Sequence, residues 1–394
     1  MKPIEIKALR KQLALSQSDT AELLGVSVDA VRKWESGEHK MKPLYADKLL
    51  QLLSDANRIA EPRPVYTAYS QKEITKNADQ LAIETHEAER ENANGKFKFI
   101  DLFAGVGGVR LGFEAAGGSC VFSSEIDPFA KFTYYTNHGV VPFGDICKID
   151  EADVPKHDVL CAGFPCQPFS HIGKRQGFEH PTQGTMFDEI LRIARKRKPK
   201  VIFLENVVGL ENHDGGNTIK VIVDELDKLQ YKVSRKVLDA SEFGVPQKRR
   251  RIYIVAVRKG VKDFEFPTGD AEIKNVGEIL DPNPVGYEIS KHLQRTYIYK
   301  VKDGRPTEID ESTKGPAKTL VSSYHKIQRL TGTFVKGGET GLRLLSANEC
   351  KQLMGFDEDF VIPVSRTQMY RQMGNSVVVP VISAIAKEIV EQAL

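Results

Sequence analysis

The stretch "LCAGFPCQPFS" places Cys166 in a short loop between Pro165 and Pro168. Proline fixes φ and donates no backbone hydrogen bond, so the pair ends a strand and stiffens the loop. A thiol there is held toward a pocket. Its ordinary pKa of about 8.5 falls beside positive charge, which makes Cys166 a candidate nucleophile. Cys161 falls inside the preceding apolar run and reads as a small buried hydrophobe. The spacing is not CxxC and no histidine–cysteine set accompanies it, so no metal site is expected.

Two further stretches put chemistry at strand ends. "KVIFLENV" finishes with Glu205 and Asn206. A carboxylic acid beside a nucleophile can deliver a proton to a substrate. "QKRRRIYIVAV" carries Arg249, Arg250 and Arg251 into another strand. Side chains alternate along a strand, so Arg249 and Arg251 point one way and Arg250 the other. Two guanidiniums aimed at one site can hold a carbonyl oxygen or a phosphate. Arg250 reads equally well as part of a solvated turn.

A ligand pocket is written earlier in the chain. "FIDLFAGVGG" sets Gly105, Gly107 and Gly108 between a strand and a helix, where backbone passes close to a ligand. Glu125 lies twenty residues after Gly105, at the next strand's tip, placed to grip ribose hydroxyls. In "GDICKI", Asp145 is free to accept from an adenine amino group. The glycines read GxGG, not the GxGxxG of dinucleotide sites. A ligand with ribose and adenine but no pyrophosphate fits, and S-adenosylmethionine is one. A thiolate, an acid and a methyl donor together suit cytosine. Thiolate addition at carbon 6, with a proton shared to ring nitrogen 3, turns carbon 5 into a nucleophile.

These residues need a scaffold. Apolar strands ("KFKFIDLF", "CVFSSEI", "DVLCAGF", "PKVIFLENV", "YKVSRKVLDA", "RIYIVAV") alternate with amphipathic segments between residues 96 and 258. That rhythm predicts an α/β fold with a doubly wound, mostly parallel sheet. Residues 259–342 are irregular and read as a smaller domain. Helical periodicity returns over 343–394. Residues 59–95 read as a linker and a bridging helix without a functional signal. In residues 1–58, "LSQSDTAELLGVSVDAVRKWESG" gives two short helices about Gly25. Ser16 and Ser27 are the expected N-caps, and Val28, Val31 and Trp34 the inward face of the second helix. The stretch resembles the helix-turn-helix of phage-repressor-like regulators. Arg32 and Lys33 on the polar face favour DNA over protein docking. No apolar run reaches the ~20 residues that cross a bilayer, and the charged N-terminus is unlike a secretion signal. Five cysteines without framework spacing fit a reducing cytoplasm. A net charge of +3 is too small to name a polyanion partner by itself.

From about Lys96 to the C-terminus the motifs resemble, in order, those of the bacterial DNA cytosine-5 methyltransferases. "DLFAGVGG" and "SSEIDP" resemble the cofactor blocks, "GFPCQPFS" the nucleophile loop, and "ENV" the acid strand. "QKRRRIY" resembles the arginine block, and "RLLSANECKQLMGF" and "YRQMGNSVVVPV" the closing blocks. The resemblance implies the S-adenosylmethionine-dependent methyltransferase fold. It implies Cys166 as nucleophile, Glu205 as the acid, and Arg251 with Arg249 on a flipped base. It implies a cofactor pocket of Phe103, Gly105, Gly107, Glu125, Ile126, Asp145, Ile146, Gly163, Pro165, Asn375 and Ser376. The segment between the arginine block and the closing blocks would be the target-recognition domain, with Lys318, His325, Lys326, Gln328 and Arg329 against DNA. The partner implied is duplex DNA at a short site, CCGG, bound by a monomer in a restriction-modification system. Operator DNA is a second partner through the helix-turn-helix. Two other readings stand beside this one: a transcriptional regulator with secondary methylation, and an RNA cytosine-5 methyltransferase.

Overall fold

The computed structural model describes residues 6–7, 17–24, 26–42, 45, 65–164, 186–260, 263–282, 284–301 and 303–394. The chain divides into two compact units, Met1–Pro64 and Val65–Leu394.

In the first unit, α1 (Gln17–Leu24) and α2 (Val28–Ser36) flank a short turn. Ser27 caps α2, its hydroxyl accepting from the Ala30 N–H at 3.2 Å. Gly37 ends it in the left-handed region at φ +83°. Ala21, Leu24, Val31 and Trp34 close a small core with Ile6 and Met41. Val28, expected inward, is 38% exposed. Steps of three residues drift about 60° backwards round a helix, so Val28 lies far off the Trp34 face. Arg32 and Lys33 reach Asp29 at 3.7 and 3.1 Å. Such exposed pairs hold little energy and yield to a phosphate. Ser16 and Gly25 lie outside the described residues.

The second unit opens with α3 (Gln71–Lys76) and α4 (Ala78–Glu91). Then come β1 (Phe97–Leu102), α5 (Gly108–Ala115), β2 (Gly118–Ser124), α6 (Pro128–His138) and β3 (Val159–Ala162). α7 (Met186–Arg197), β4 (Val201–Val207), α8 (Asn217–Lys228), β5 (Tyr231–Asp239) and β6 (Arg250–Arg258) complete the sheet region. The six strands lie in the order β2-β1-β3-β4-β6-β5. Neighbours from β2 to β4 are parallel; β6 runs antiparallel to both β4 and β5. The expected rhythm breaks here for a covalent reason. A parallel crossover needs a dozen or more residues and usually a helix. The link from Asp239 to Arg250 is shorter and holds only a 3₁₀ turn.

The sheet is buried on both faces. Phe99, Cys161 and Phe203 face one core; Ile100, Leu160 and Leu204 face the other. Cys161 is fully buried, as its place in the apolar run implies. β7 (Thr307–Ile309), β8 (Thr333–Lys336) and β9 (Leu342–Arg343) make a separate three-stranded sheet. The chain closes with α9 (Ala347–Met354), α10 (Arg366–Asn375) and α11 (Val379–Ala393). α11 returns against α5, where Gly112 leaves no room for a side chain beside Ile382.

The stretch read as a linker does more than connect. In α4, His86 is fully buried; Nδ1–H donates to the Ala82 carbonyl at 2.8 Å and Nε2 accepts from the Ser123 N–H at 3.0 Å. Burial holds its pKa down at about 3, so the ring is neutral. Glu89 forms a buried ion pair with Arg110 of α5, which also donates to Glu114 at 2.7 Å. α4 is thus wired to both elements that begin the ligand pocket. Glu89→Ala leaves the buried guanidinium under-compensated and is expected to cost about 3 kcal/mol. Chemical denaturation checks this; a loss under about 0.5 kcal/mol, the scale of a surface change, would contradict it.

Candidate active site

The parallel strands end at one cavity of about 880 Å³. Its first wall is the turn after β1. Phe103 takes a left-handed φ of +58°, rare for a large residue, and Gly105 sits nearby at +56°. Gly105 has open space where a side chain would be, so the backbone itself faces the cavity. Its N–H donates to Glu125 at 2.8 Å. The Asp127 N–H holds the other oxygen of Glu125, also at 2.8 Å. Burial raises the Glu125 pKa, and these N–H groups draw it back. A clamped carboxylate at the tip of β2 is set to receive hydroxyl donors.

Ile126 beside it is 71% exposed although it lines the cavity, an apolar ledge suited to a flat ring. Asp145 and Ile146 line the same end. One Asp145 oxygen caps the Cys147 N–H at 3.1 Å, and the Cys147 thiol also meets this carboxylate. Adenosine fits this set of groups: a carboxylate for the ribose, and an apolar ledge and a second carboxylate for the adenine. Gly107 does not line the cavity, contrary to expectation. At φ +90° it starts α5 with no room for a side chain beside the His138 ring. Its glycine serves packing. Gly108 leaves room for Ser376 and Val377.

The opposite end carries the charged groups. Glu205 in β4 has a side chain only 13% exposed, and Arg251 Nε lies 3.2 Å from its Oε1. The register explains the meeting: Val207 pairs with Arg251 across the antiparallel ladder. Burial raises the Glu205 pKa, opposed by Arg251 and then Arg249. Gly163 sits beside Glu205; a Cβ there would lie 3.7 Å from Oε2. Pro165 and Cys166 lie outside the described residues.

Arg249 differs from the expectation of two guanidiniums aimed at a ligand. It is buried, and its terminal nitrogens donate to the carbonyls of Leu320 (2.9 Å), Gly374 (3.0 Å) and Ser376 (2.7 Å). It lines the cavity but acts as a staple that binds the closing segment to it. Asn375 and Ser376 supply that last wall.

Of the expected DNA-facing residues, Lys318, Lys326 and Gln328 are exposed. His325 is half-buried, its Nδ1 3.0 Å from the Ser322 carbonyl. Arg329 is corrected: it is buried, ion-paired with Asp303, and cannot reach a base.

Several residues escaped the sequence reading. Asn206 is buried and donates to the Phe164 carbonyl at 2.9 Å, tying the acid strand to the start of the thiol loop. Gln368 and Arg371 line the cavity beside Asn375. Their spacing of three and four on α10 is a helical stripe that periodicity reveals. Asp101 is buried in β1, and burial pushes its pKa up to about 8.

Residues 97–391 match the family model for the C-5 cytosine-specific DNA methylase, and residues 6–54 a helix-turn-helix model. The chain is 58% identical to the type II methyltransferase M.MspI of Moraxella sp over 397 residues, covering 99% of this chain and 95% of that one. It is 56% identical to the type II methyltransferase M.BsuFI of Bacillus subtilis, covering 78% and 75%. The S. pombe Dnmt2 methyltransferase structure shares the fold at a TM-score of 0.62 and 21% identity, covering 75% of this chain and 99% of that one. With the motifs in order and the matching sheet, the chain belongs to the C-5 cytosine-specific DNA methylase family and is a DNA (cytosine-5)-methyltransferase.

Proposed function

We propose that this enzyme methylates carbon 5 of a cytosine flipped out of a short duplex site, CCGG, with S-adenosylmethionine as the donor, as the modification half of a restriction-modification system. The observation that carries the reading is the buried Glu205–Arg251 pair at one end of a cavity whose other end suits adenosine. The likeness to M.MspI over both units supports the target. When bound, S-adenosylmethionine supplies the sulfonium methyl that carbon 5 takes. Glu125, Ile126 and Asp145 would hold its adenosine, with Phe103, Ile146, Asn375 and Ser376 around it.

The remaining work falls to side chains of this chain. Cys166 supplies a thiolate that adds to carbon 6 of the ring. Glu205, its pKa raised by burial, gives its proton to ring nitrogen 3 and so draws electron density away from carbon 6. Arg251 holds Glu205 in place and offers its outer nitrogen to the ring carbonyl. The carbon-5 proton then passes to water, its electron pair re-forms the 5,6 double bond as the carbon 6–sulfur bond breaks and the thiolate leaves, and ring nitrogen 3 returns its proton to Glu205. Flipping costs a few kcal/mol of unstacking, offset by phosphate and groove contacts. The family match favours DNA over RNA as substrate.

The helix-turn-helix unit supports a second task. Exposed Arg32 and half-exposed Lys33 on a capped second helix suit operator DNA, and we infer that this unit binds it independently of methylation. The enzyme works as a monomer, in the cytoplasm where its DNA lies.

Glu205→Gln is expected to lower kcat by about a hundred-fold. The wild-type rate should fall as pH rises through the elevated Glu205 pKa, because the proton is then lost, and the variant should lack that alkaline limb. Single-turnover methylation across pH checks both; a wild-type profile whose fall with rising pH persists unchanged in Glu205→Gln, or is absent, removes Glu205 as the acid. Deleting residues 1–58 should abolish operator retention in a gel-shift assay yet keep plasmid methylation. Loss of both together would contradict separate tasks.

A further inference from the structure

The helices ahead of β1 line no part of the cavity, yet α4 reaches the two stretches that carry its adenosine-end carboxylates. β2 lies at the edge of the six-stranded sheet. An edge strand leaves backbone donors and acceptors open. At the tip of β2 these groups are taken in series. The Ser123 carbonyl accepts from the Phe143 N–H, and the Phe143 carbonyl from the Glu125 N–H, both at 2.9 Å. The Ser123 N–H itself donates to Nε2 of His86, in α4, at 3.0 Å. Glu125 lies two residues after Ser123, and Asp145 two after Phe143. His86 therefore sits where the two carboxylate-bearing stretches meet.

The ring is locked in place. Nδ1–H is given to Ala82, which leaves Nε2 as the acceptor. The His86 ring centre lies 4.7 Å from that of Phe143, which stacks on Phe122 at 4.9 Å. One residue earlier in α4, the Thr85 hydroxyl accepts from the Val141 N–H at 3.0 Å. Asp79, at the start of α4, reaches the same stretch. A Cβ on Gly144 would lie 3.8 Å from its Oδ1 and 3.8 Å from Nζ of Lys131. Lys131 is buried; burial pushes its pKa down, opposed by Asp79 and then Glu125. Asp79, Thr85 and His86 thus hold residues 141–144, and His86 also holds the tip of β2.

We propose that α4 is a positioning element of the cofactor site, in which His86 sets the spacing of Glu125 and Asp145 and so governs affinity for S-adenosylmethionine without touching it. The proposal rests on the reading of this cavity as the S-adenosylmethionine site. Its physical basis is preorganisation. Two carboxylates held at a fixed spacing lose little freedom when one ligand bridges them, whereas a loose strand tip must be ordered on binding.

Titration calorimetry of S-adenosylmethionine binding to the full-length protein, without DNA, tests this. His86→Phe keeps a ring against Phe143 but offers the Ser123 N–H no acceptor. It should bind S-adenosylmethionine about ten-fold more weakly. In methylation assays KM for the cofactor should rise by the same factor, while kcat at saturation stays within about two-fold. DNA affinity should hold. His86→Gln, whose amide oxygen can accept from Ser123, should recover most of the loss. Thr85→Val keeps the shape of a half-buried side chain, should fold normally, and should weaken binding about three-fold. Leu226→Ala, in the buried face of α8 and off the cavity wall, lowers stability and should leave cofactor affinity as it is. Wild-type affinity in both His86→Phe and Thr85→Val would overturn the proposal, as would an equal loss in Leu226→Ala. Failure of the unaltered protein to bind S-adenosylmethionine would overturn the cofactor reading, and this proposal with it.

Discussion

A carboxylate kept from water beside the Arg251 guanidinium is the constraint on which the site depends. Burial raises the Glu205 pKa, and Arg251 at 3.2 Å pulls it back. Neither influence alone serves. Burial without the cation leaves an acid that holds its proton too firmly, and the cation without burial leaves a plain carboxylate. The balance needs β6 to lie antiparallel against β4, since that ladder sets Val207 opposite Arg251. A parallel β6 would place its arginines at the far end of the sheet. The inverted strand is therefore part of the chemistry as well as of the fold.

The same arginine block divides its labour by direction. Arg251 faces the acid, whereas Arg249 spends its terminal nitrogens on the carbonyls of Leu320, Gly374 and Ser376. That staple brings residues more than a hundred positions apart to one cavity wall. Gly108 and Gly374 let those segments approach, each because a side chain there would collide with its neighbour. The turn at Tyr324–Lys326 is then held from the other side by Arg329, on the carbonyls of Ile298 and Val301. Buried guanidiniums bound to backbone carbonyls thus fix both ends of this turn.

Much of this was legible in the sequence. Alternating apolar strands gave both buried faces of the sheet, and the glycine turn with Glu125 twenty residues on gave one end of the cavity. The Ser27 cap came from local chemistry alone. The failures share a cause: residue type does not reveal where a long side chain is spent. Arg249 and Arg329 read as ligand-facing cations, but tertiary carbonyls claimed both. Gly107 read as backbone for a ligand, yet its neighbour is His138. The segment read as a linker showed no motif because His86 and Glu89 act through partners distant in sequence. The orientation of β6 could have been found from its short link to β5.

The most direct measurement is covalent trapping on a duplex whose target cytosine carries fluorine at carbon 5, with S-adenosylmethionine present. Fluorine blocks loss of the group at carbon 5, so the thiolate cannot leave. The account predicts a stable protein–DNA adduct that peptide mass spectrometry maps to Cys166, with the methyl group already on the ring. Methylation of ordinary duplex without any adduct on the fluorinated one, or an adduct at another residue, would contradict it.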